Sequence, residues 1–370
     1  MDFDLSKPQK MLQKSVKDFL DRSCSTQRVR ELMATENAVD DALWSEMVDQ
    51  GWTTLTVPEE KEGMGLTAVD LAAVSEVMGR YCLPGPFISN QWATTLLSKS
   101  PAHESHLPDL VEGESRATVA LLENLGDWDP SGVTSVAAAE NGGYRLRGEK
   151  MFVNDAASAG LVVWAARLDG DLAFFAVQPS DVDIVSLPAI DETRKLYRLR
   201  LPEGGLTVES EALLLRGDDA EEALRQATLE ATVAVCAELV GGMDWVLGQA
   251  VEYAKTREQF GRTIGHFQAV QHLCADMLTF VESARSATYF AAWDVAQGNA
   301  NADETVSIAK AYCSDAAREV GNKGIQVHGG IGFTWEHDLQ LYYKRAKSSE
   351  LLFGDAGFHR ERLARRLLDN

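Results

Sequence analysis

The sequence predicts a multi-part α+β protein: an N-terminal helical domain over residues 1–115, a central β-barrel or sandwich domain over 116–217, and a C-terminal four-helix bundle over 218–370. Two observations predict it. The hydrophobic period is helical at both ends and gives way in the middle to short alternating or β-branched runs. The last third carries four long apolar stripes joined by short connections, as an antiparallel bundle requires. No internal repeat or low-complexity stretch interrupts this order.

In the first region Gln9 to Leu20, Asp40 to Gln50 and Val69 to Met78 are the clearest helices. Between the last two lies Val57-Pro58-Glu59-Glu60 to Gly63-Met64-Gly65, a turn-rich insert that a helix does not cross. The middle region offers strands at Gly132 to Ala138, Tyr144 to Leu146, Met151 to Val153, Leu161 to Ala165, Leu172 to Val177, Leu196 to Leu201 and Leu206 to Leu215. Asn141-Gly142 suits a tight hairpin, because both residues tolerate positive φ. In the last region Cys236, Leu239, Val240, Met243, Leu247 and Ala250 form one stripe. Val270, Leu273, Met277, Phe280, Val281 and Ala284 form the next, followed by Val306 to Val320 and Leu339 to Leu352.

Composition narrows the function. The chain has 370 residues, 56 acidic against 35 basic side chains and a formal charge of −21. With 45% apolar and 25% charged residues it is an ordinary globular chain, not a disordered one. The negative excess argues against nucleic acid or an anionic membrane as main partner. Cys24, Cys82, Cys236, Cys274 and Cys313 are far apart and contain no CxxC pair, so neither a disulfide framework nor a zinc site is expected, and a cytoplasmic location fits. No signal peptide is expected at the N-terminus. The most apolar segment, Val233 to Val251, is interrupted by Glu238 and Asp244 and is too short between charges to span a bilayer.

Two segments of the bundle carry unusual chemistry. Tyr253 to Gln268 contains Arg257, whose planar fork suits phosphate, and the turn glycines Gly261 and Gly265. Read alone, it is more simply an interhelical loop whose cations complement a helix C-terminus. Gln326-Val327-His328-Gly329-Gly330-Ile331-Gly332-Phe333 allows close approach of another chain or a ligand, or simply ends a helix. It is no dinucleotide fingerprint, since no strand precedes it and the glycine spacing differs.

Together these segments resemble the acyl-CoA dehydrogenase family. The resemblance rests on Arg257-Glu258-Gln259-Phe260-Gly261 with Phe267-Gln268, then Gln326, Gly329-Gly330, Gly332-Phe333 and Glu336. Pro58-Glu59-Glu60 with Gly63-Met64-Gly65 is similar to the family's N-terminal "PEE.GG.G" stretch. Gly148-Glu149-Lys150-Met151-Phe152-Val153-Asn154 is similar to its "GxKxWIT" strand. The resemblance covers nearly the whole chain. It implies FAD, an acyl-CoA thioester substrate, α,β-dehydrogenation and electron-transfer flavoprotein as electron acceptor, in lipid or steroid β-oxidation. A carboxylate takes the Cα proton while hydride leaves Cβ for the flavin.

The departures from the family are as informative. Counting without a gap places Phe353 where the family's base glutamate stands, and Ala231 at the alternative position on the first bundle helix. Neither can accept a proton. Asp355 and Glu230 are the nearby carboxylates, read more simply as an N-cap and as a solvated acid. The family's "TEPxxGSD" segment corresponds to Leu122-Glu123-Asn124-Leu125-Gly126-Asp127-Trp128-Asp129, with only Glu123 and Gly126-Asp127 in common. Phe152 replaces a tryptophan, and Asn154 stands where a Thr or Ser meets the flavin.

In the family each FAD lies across a dimer interface. This chain keeps what would be donated to a neighbour: Arg257, Gln259, Phe260, Gln268, Gln326, Gly329 and Gly330. It alters what would be used at home. That pattern implies one half of a heteromeric α2β2 enzyme whose homologous partner supplies the base. Two alternatives stay open. One is a self-sufficient homotetramer using Asp355 or Glu230. The other is a non-enzymatic acyl-CoA or partner-binding scaffold. His272, His328 and the basic run His359 to Arg366 receive no role.

Overall fold

The computed structural model describes residues 4–123 and 126–368. Helices come first along the chain: α1 (Lys7–Ser23), α2 (Thr26–Met33), α3 (Asp41–Asp49), α4 (Ala68–Arg80), α5 (Phe87–Ser98) and α6 (Leu107–Val111). Ser6 opens α1 with a reciprocal capping box to Gln9, and Pro8 falls in its first turn. Asp40 caps α3 through Ala42 N and Leu43 N. The turn-rich insert after α3 is two short 3-10 turns, Trp52–Thr54 and Glu59–Lys61.

Ten strands follow: β1 (Ala117–Ala120), β2 (Val136–Glu140), β3 (Gly143–Arg147), β4 (Glu149–Asn154), β5 (Leu161–Leu168), β6 (Asp171–Val177), β7 (Asp183–Leu187), β8 (Leu196–Arg200), β9 (Leu206–Val208) and β10 (Leu213–Arg216). One sheet runs β10-β6-β5-β2-β3-β9, with β1 added parallel to β5, and a smaller sheet runs β4-β8-β7. Their shared core contains Trp164, Phe175, Tyr197, Leu146 and Leu199. Asn141 and Gly142 have φ of 51° and 88° and join Glu140 to Gly143 across the β2–β3 hairpin, as the twist of antiparallel strands favours.

Long helices complete the chain: α7 (Asp218–Thr256), α8 (Gln268–Ala296), α9 (Ala302–His328), α10 (Leu339–Leu351) and α11 (Ala356–Leu368). Between α7 and α8 a small hairpin pairs β11 (Glu258–Gln259) with β12 (Arg262–Thr263).

Contacts gather the chain into two compact units. One comprises 1–30, 68–83 and 232–370, the other 31–67 and 84–231. In the first, α4 lies against α7 at Gly79 and Gly241, where a Cβ would collide with the backbone carbonyls of Glu238 and Glu76. That approach needs glycine on both sides. α7 is the one described helix long and apolar enough to cross a membrane, yet most of its apolar window is buried in the protein. Its Glu238 is buried against Arg345 at 3.1 Å and Ser349 at 2.7 Å, and Asp244 pairs with Arg80. In the second unit α5 packs on β1 and is buried along its whole length.

Candidate functional site

In the first unit, the residues expected to be given to a neighbour sit on surface turns. The β11–β12 hairpin turns at Phe260 and Gly261, with φ of 54° and 76°, and lifts the Phe260 ring to 91% exposure. A non-glycine residue in the left-handed region is uncommon. Here it carries a large apolar side chain into the open. Arg257 is exposed and makes no ion pair with a described residue, while its backbone carbonyl accepts from Ile264 N at 2.8 Å and closes the hairpin. Among the described residues the Gln259 side chain reaches only the Glu258 carbonyl, at 2.8 Å. Gln268 opens α8 and is exposed. Gln326, Gly329 and Gly330 lie exposed at the end of α9, where Gly329 takes φ of 64° and turns the chain into Gly329–Phe333. Phe333 and Trp335 follow at 78% and 68% exposure. Large aromatics held in water are costly to leave uncovered.

The position expected to match the family's base is part of the same unit and is tightly held. Phe353 lies on the turn between α10 and α11, is 2% exposed and has φ of 61°. Its carbonyl accepts from His359 Nε2 at 3.0 Å. Burial and the nearby Lys310 and Arg362 charges hold His359 near pKa 3, so the ring is neutral. Lys310 is fully buried on α9 and donates to the carbonyls of Glu350 and Gly354, both at 2.8 Å, and to Ser314 Oγ at 3.3 Å. Burial lowers its pKa to about 8, offset by the neighbouring thiols and carboxylates. The sequence shows Lys310 only as an odd charge within the Val306 to Val320 stripe. Asp355 is exposed, and its Oδ1 accepts from Phe358 N at 2.8 Å. It is the N-cap of α11.

The second unit holds the other candidates. Ala231 is buried on α7. Glu230 is only partly exposed. It accepts from Thr95 Oγ1 at 3.3 Å, and Thr95 in turn contacts Thr56 Oγ1 at 3.2 Å. The simple expectation of a solvated acid is therefore corrected: burial raises its pKa, opposed by the Thr56 hydroxyl, Lys99 and Thr95. Sequence could not supply this, because Thr56 and Thr95 come from distant turns and helices.

A β-bulge between Lys150 and Val153 turns Phe152 outward, with φ of 57° and substantial exposure. Asn154 is buried, and its Oδ1 has no hydrogen-bond partner among the described residues. Behind the bulge Lys150, 0% exposed, donates to Glu123 Oε1 at 2.7 Å and to the Leu121 carbonyl at 3.2 Å, beneath the Trp164 ring. Glu123 also accepts from Thr134 N at 3.1 Å and Ser135 N at 2.9 Å. Burial acts on both ends of this pair. It wins at the lysine, lowering it to about 8. At the glutamate, which is 14% exposed, the Lys150 charge and the hydrogen bonds win and hold the carboxyl at about 2. Asn124 and Leu125 of the same segment lie outside the described residues. Among the described residues no group of His, Cys, Asp and Glu is placed to hold a metal.

Comparison with known proteins agrees with this layout. The family model for the acyl-CoA dehydrogenase N-terminal domain matches residues 6–114, and that for the C-terminal domain matches 223–368. The acyl-CoA dehydrogenase IpdE2 of Mycobacterium tuberculosis is 30% identical over 92% of each chain. The acyl-CoA dehydrogenase FadE34 of the same organism is 36% identical over 82% of this chain, which spans 39% of that protein. Among solved structures, a chain of the ChsE4-ChsE5 complex from Mycobacterium tuberculosis superposes with a TM-score of 0.90 at 28% identity, covering all of both chains. The chain belongs to the acyl-CoA dehydrogenase family.

Proposed function

We propose that the chain is one subunit of a heteromeric, FAD-dependent acyl-CoA dehydrogenase, and that a homologous partner supplies the base its own site lacks. The observation that carries this is Phe353. The residue at the base position is a buried phenyl ring, and the turn around it is fixed by Lys310 and His359. The nearest carboxylate in sequence, Asp355, is engaged as a helix cap.

FAD fits the residues present. Asn154 brings an unmatched buried acceptor, and exposed Phe152 brings an aromatic face with Gly126 beside it. Arg257, Gln259, Phe260, Gln268, Gln326, Gly329 and Gly330 are exposed and little used within their own chain, as groups that complete another subunit's cofactor site must be. When bound, FAD supplies the acceptor for the hydride leaving Cβ. Arg257 brings a fixed positive charge for a diphosphate. The partner is read as a homologous subunit in an α2β2 assembly. The ChsE4-ChsE5 likeness, a complex of two different chains, supports that reading. Electron-transfer flavoprotein is the expected acceptor, and a bulky lipid acyl-CoA, such as one with a steroid side chain, is the expected substrate class.

The test is expression of the chain alone and together with homologues that keep the glutamate, followed by flavin content and ferrocenium-coupled turnover. The account expects turnover only in the mixed complex. Full FAD and robust turnover from the single chain would refute it. One observation favours a second reading, a self-sufficient enzyme: Glu230 is a part-buried carboxyl with a raised pKa, a state suited to a general base. Glu230→Gln would then abolish turnover of the single chain.

A further inference from the structure

His337 takes no part in the reading above, yet it occupies a controlling place. α10 begins at Leu339, so the Leu339 N–H is one of the amides at the helix start with no partner inside the helix. Asp338, at the N-cap, gives that end no side-chain hydrogen bond. The Leu339 N–H donates instead to Nδ1 of His337, at 3.2 Å. Nδ1 therefore presents a lone pair, and the ring proton sits on Nε2. An imidazole nitrogen cannot accept from an amide and carry a proton at once.

The surroundings oppose a cation as well. The His337 ring meets His328 at 4.7 Å and 62°, and His328 stacks on Tyr253 at 4.6 Å and 23°. His328 Nδ1 donates to the Gly324 carbonyl at 2.8 Å, which fixes that ring in turn. The charged groups facing this stack are Asp338, which favours a cation at His337, and Arg30 on α2, which pairs with Asp338 at 2.8 Å and opposes one. Lys344 on α10 lies over the Trp335 ring at 3.8 Å. A positive imidazole at the start of α10 would also face the helix dipole unfavourably.

Between the two histidines the chain forms the turn Gly329–Phe333 and then exposes Trp335. We propose that His337 is an acid-sensitive clasp: its protonation uncaps α10, loosens residues 329–338 and weakens docking of the homologous chain on Ile331, Phe333 and Trp335. The docking half rests on the reading that this segment is offered to a partner.

Burial lowers the pKa of both His328 and His337 below the ordinary imidazole value. The sign follows from linkage. Below about pH 6.5 the unfolded or opened segment binds more protons than the closed one, so the clasp is at full strength above that value and weakens as pH falls through it.

Hydrogen exchange on the full chain tests this directly, using peptides that cover 329–345 at about pH 7.5 and about pH 5.5, corrected for intrinsic rates. Wild type should exchange severalfold faster at the lower pH in this segment alone, up to the roughly tenfold that one imidazole titrating at about 6.5 when open allows over this range. His337→Asn, whose Oδ1 can accept from the same amide without titrating, should lose that pH response. His337→Ala should be fast at both pH values. An equal pH response in wild type and His337→Asn, or none in wild type, overturns the clasp. Sedimentation of the chain with its homologous partner at the two pH values tests the docking half. Loosening without loss of assembly overturns that half. No assembly at either pH contradicts the heteromer itself and leaves the exchange result to judge the clasp.

Discussion

Glu123→Gln is the perturbation whose cost the structure defines most fully. The mutation keeps the shape and removes the charge opposite Lys150, a lysine with 0% exposure whose other acceptor is the Leu121 carbonyl at 3.2 Å. An ammonium left buried without its counter-charge costs about 3–5 kcal/mol. Lys150→Met acts differently. It removes the buried charge, fills the space with an apolar chain, and leaves Glu123 with Thr134 N and Ser135 N as donors at a partly exposed site. That change should cost about 1–2 kcal/mol, and the double variant should cost about as much as Lys150→Met alone. Urea unfolding followed by circular dichroism measures all three, with the midpoint multiplied by a shared slope. The pair also sets an acid limit. Glu123 is held at about 2, against about 4.3 when unfolded, so its contribution is complete above pH 4.3 and is lost as pH falls from there toward 2. Glu123→Gln should flatten that limb. A Glu123→Gln cost below about 0.5 kcal/mol, or a coupling energy near zero, would refute the reasoning.

Other expectations follow from single contacts. Asp355→Ala should cost about 1 kcal/mol in thermal unfolding through loss of the Phe358 N–H cap and leave turnover of the mixed complex unchanged; a large drop in turnover would make Asp355 a base after all. Lys310→Met strands the carbonyls of Glu350 and Gly354 and should destabilise by about 1–3 kcal/mol, with faster hydrogen exchange concentrated at 350–355. Arg257→Ala should leave the single chain's stability within about 0.5 kcal/mol of wild type, because the guanidinium is exposed, while lowering the flavin content of the mixed complex.

What the sequence makes legible follows from local physics. Asn141-Gly142 reads as a hairpin because positive φ is a property of those two residues. The stripes of α7 to α10 read as helices because one side faces a core. The Leu206 to Leu215 run, expected as one strand, is two. β9 pairs with β3 at one edge of the sheet and β10 with β6 at the other, separated by the turn Ser210–Ala212. The polar break Glu209-Ser210-Glu211 inside that run marks the turn, but nothing in it announces that the two halves pair at opposite edges. α5 does not stand out because burial on all sides leaves no polar face to give a period. At the site, Arg257, Gln326 and the glycines are visible as motif. The Lys310 clasp on 350–354, the Lys150–Glu123 pair and the threonines around Glu230 join residues dozens to well over a hundred positions apart, and no local pattern encodes those meetings.

The central claim is that this chain cannot remove the substrate's Cα proton by itself. Anaerobic mixing of the purified single chain, supplied with FAD, with acyl-CoA thioesters, followed by the visible flavin band, tests it most directly. The account predicts no rapid bleaching from the single chain and rapid bleaching once a homologous chain carrying the glutamate is present. Fast bleaching of the single chain, abolished by Glu230→Gln, would contradict it and give the base to Glu230.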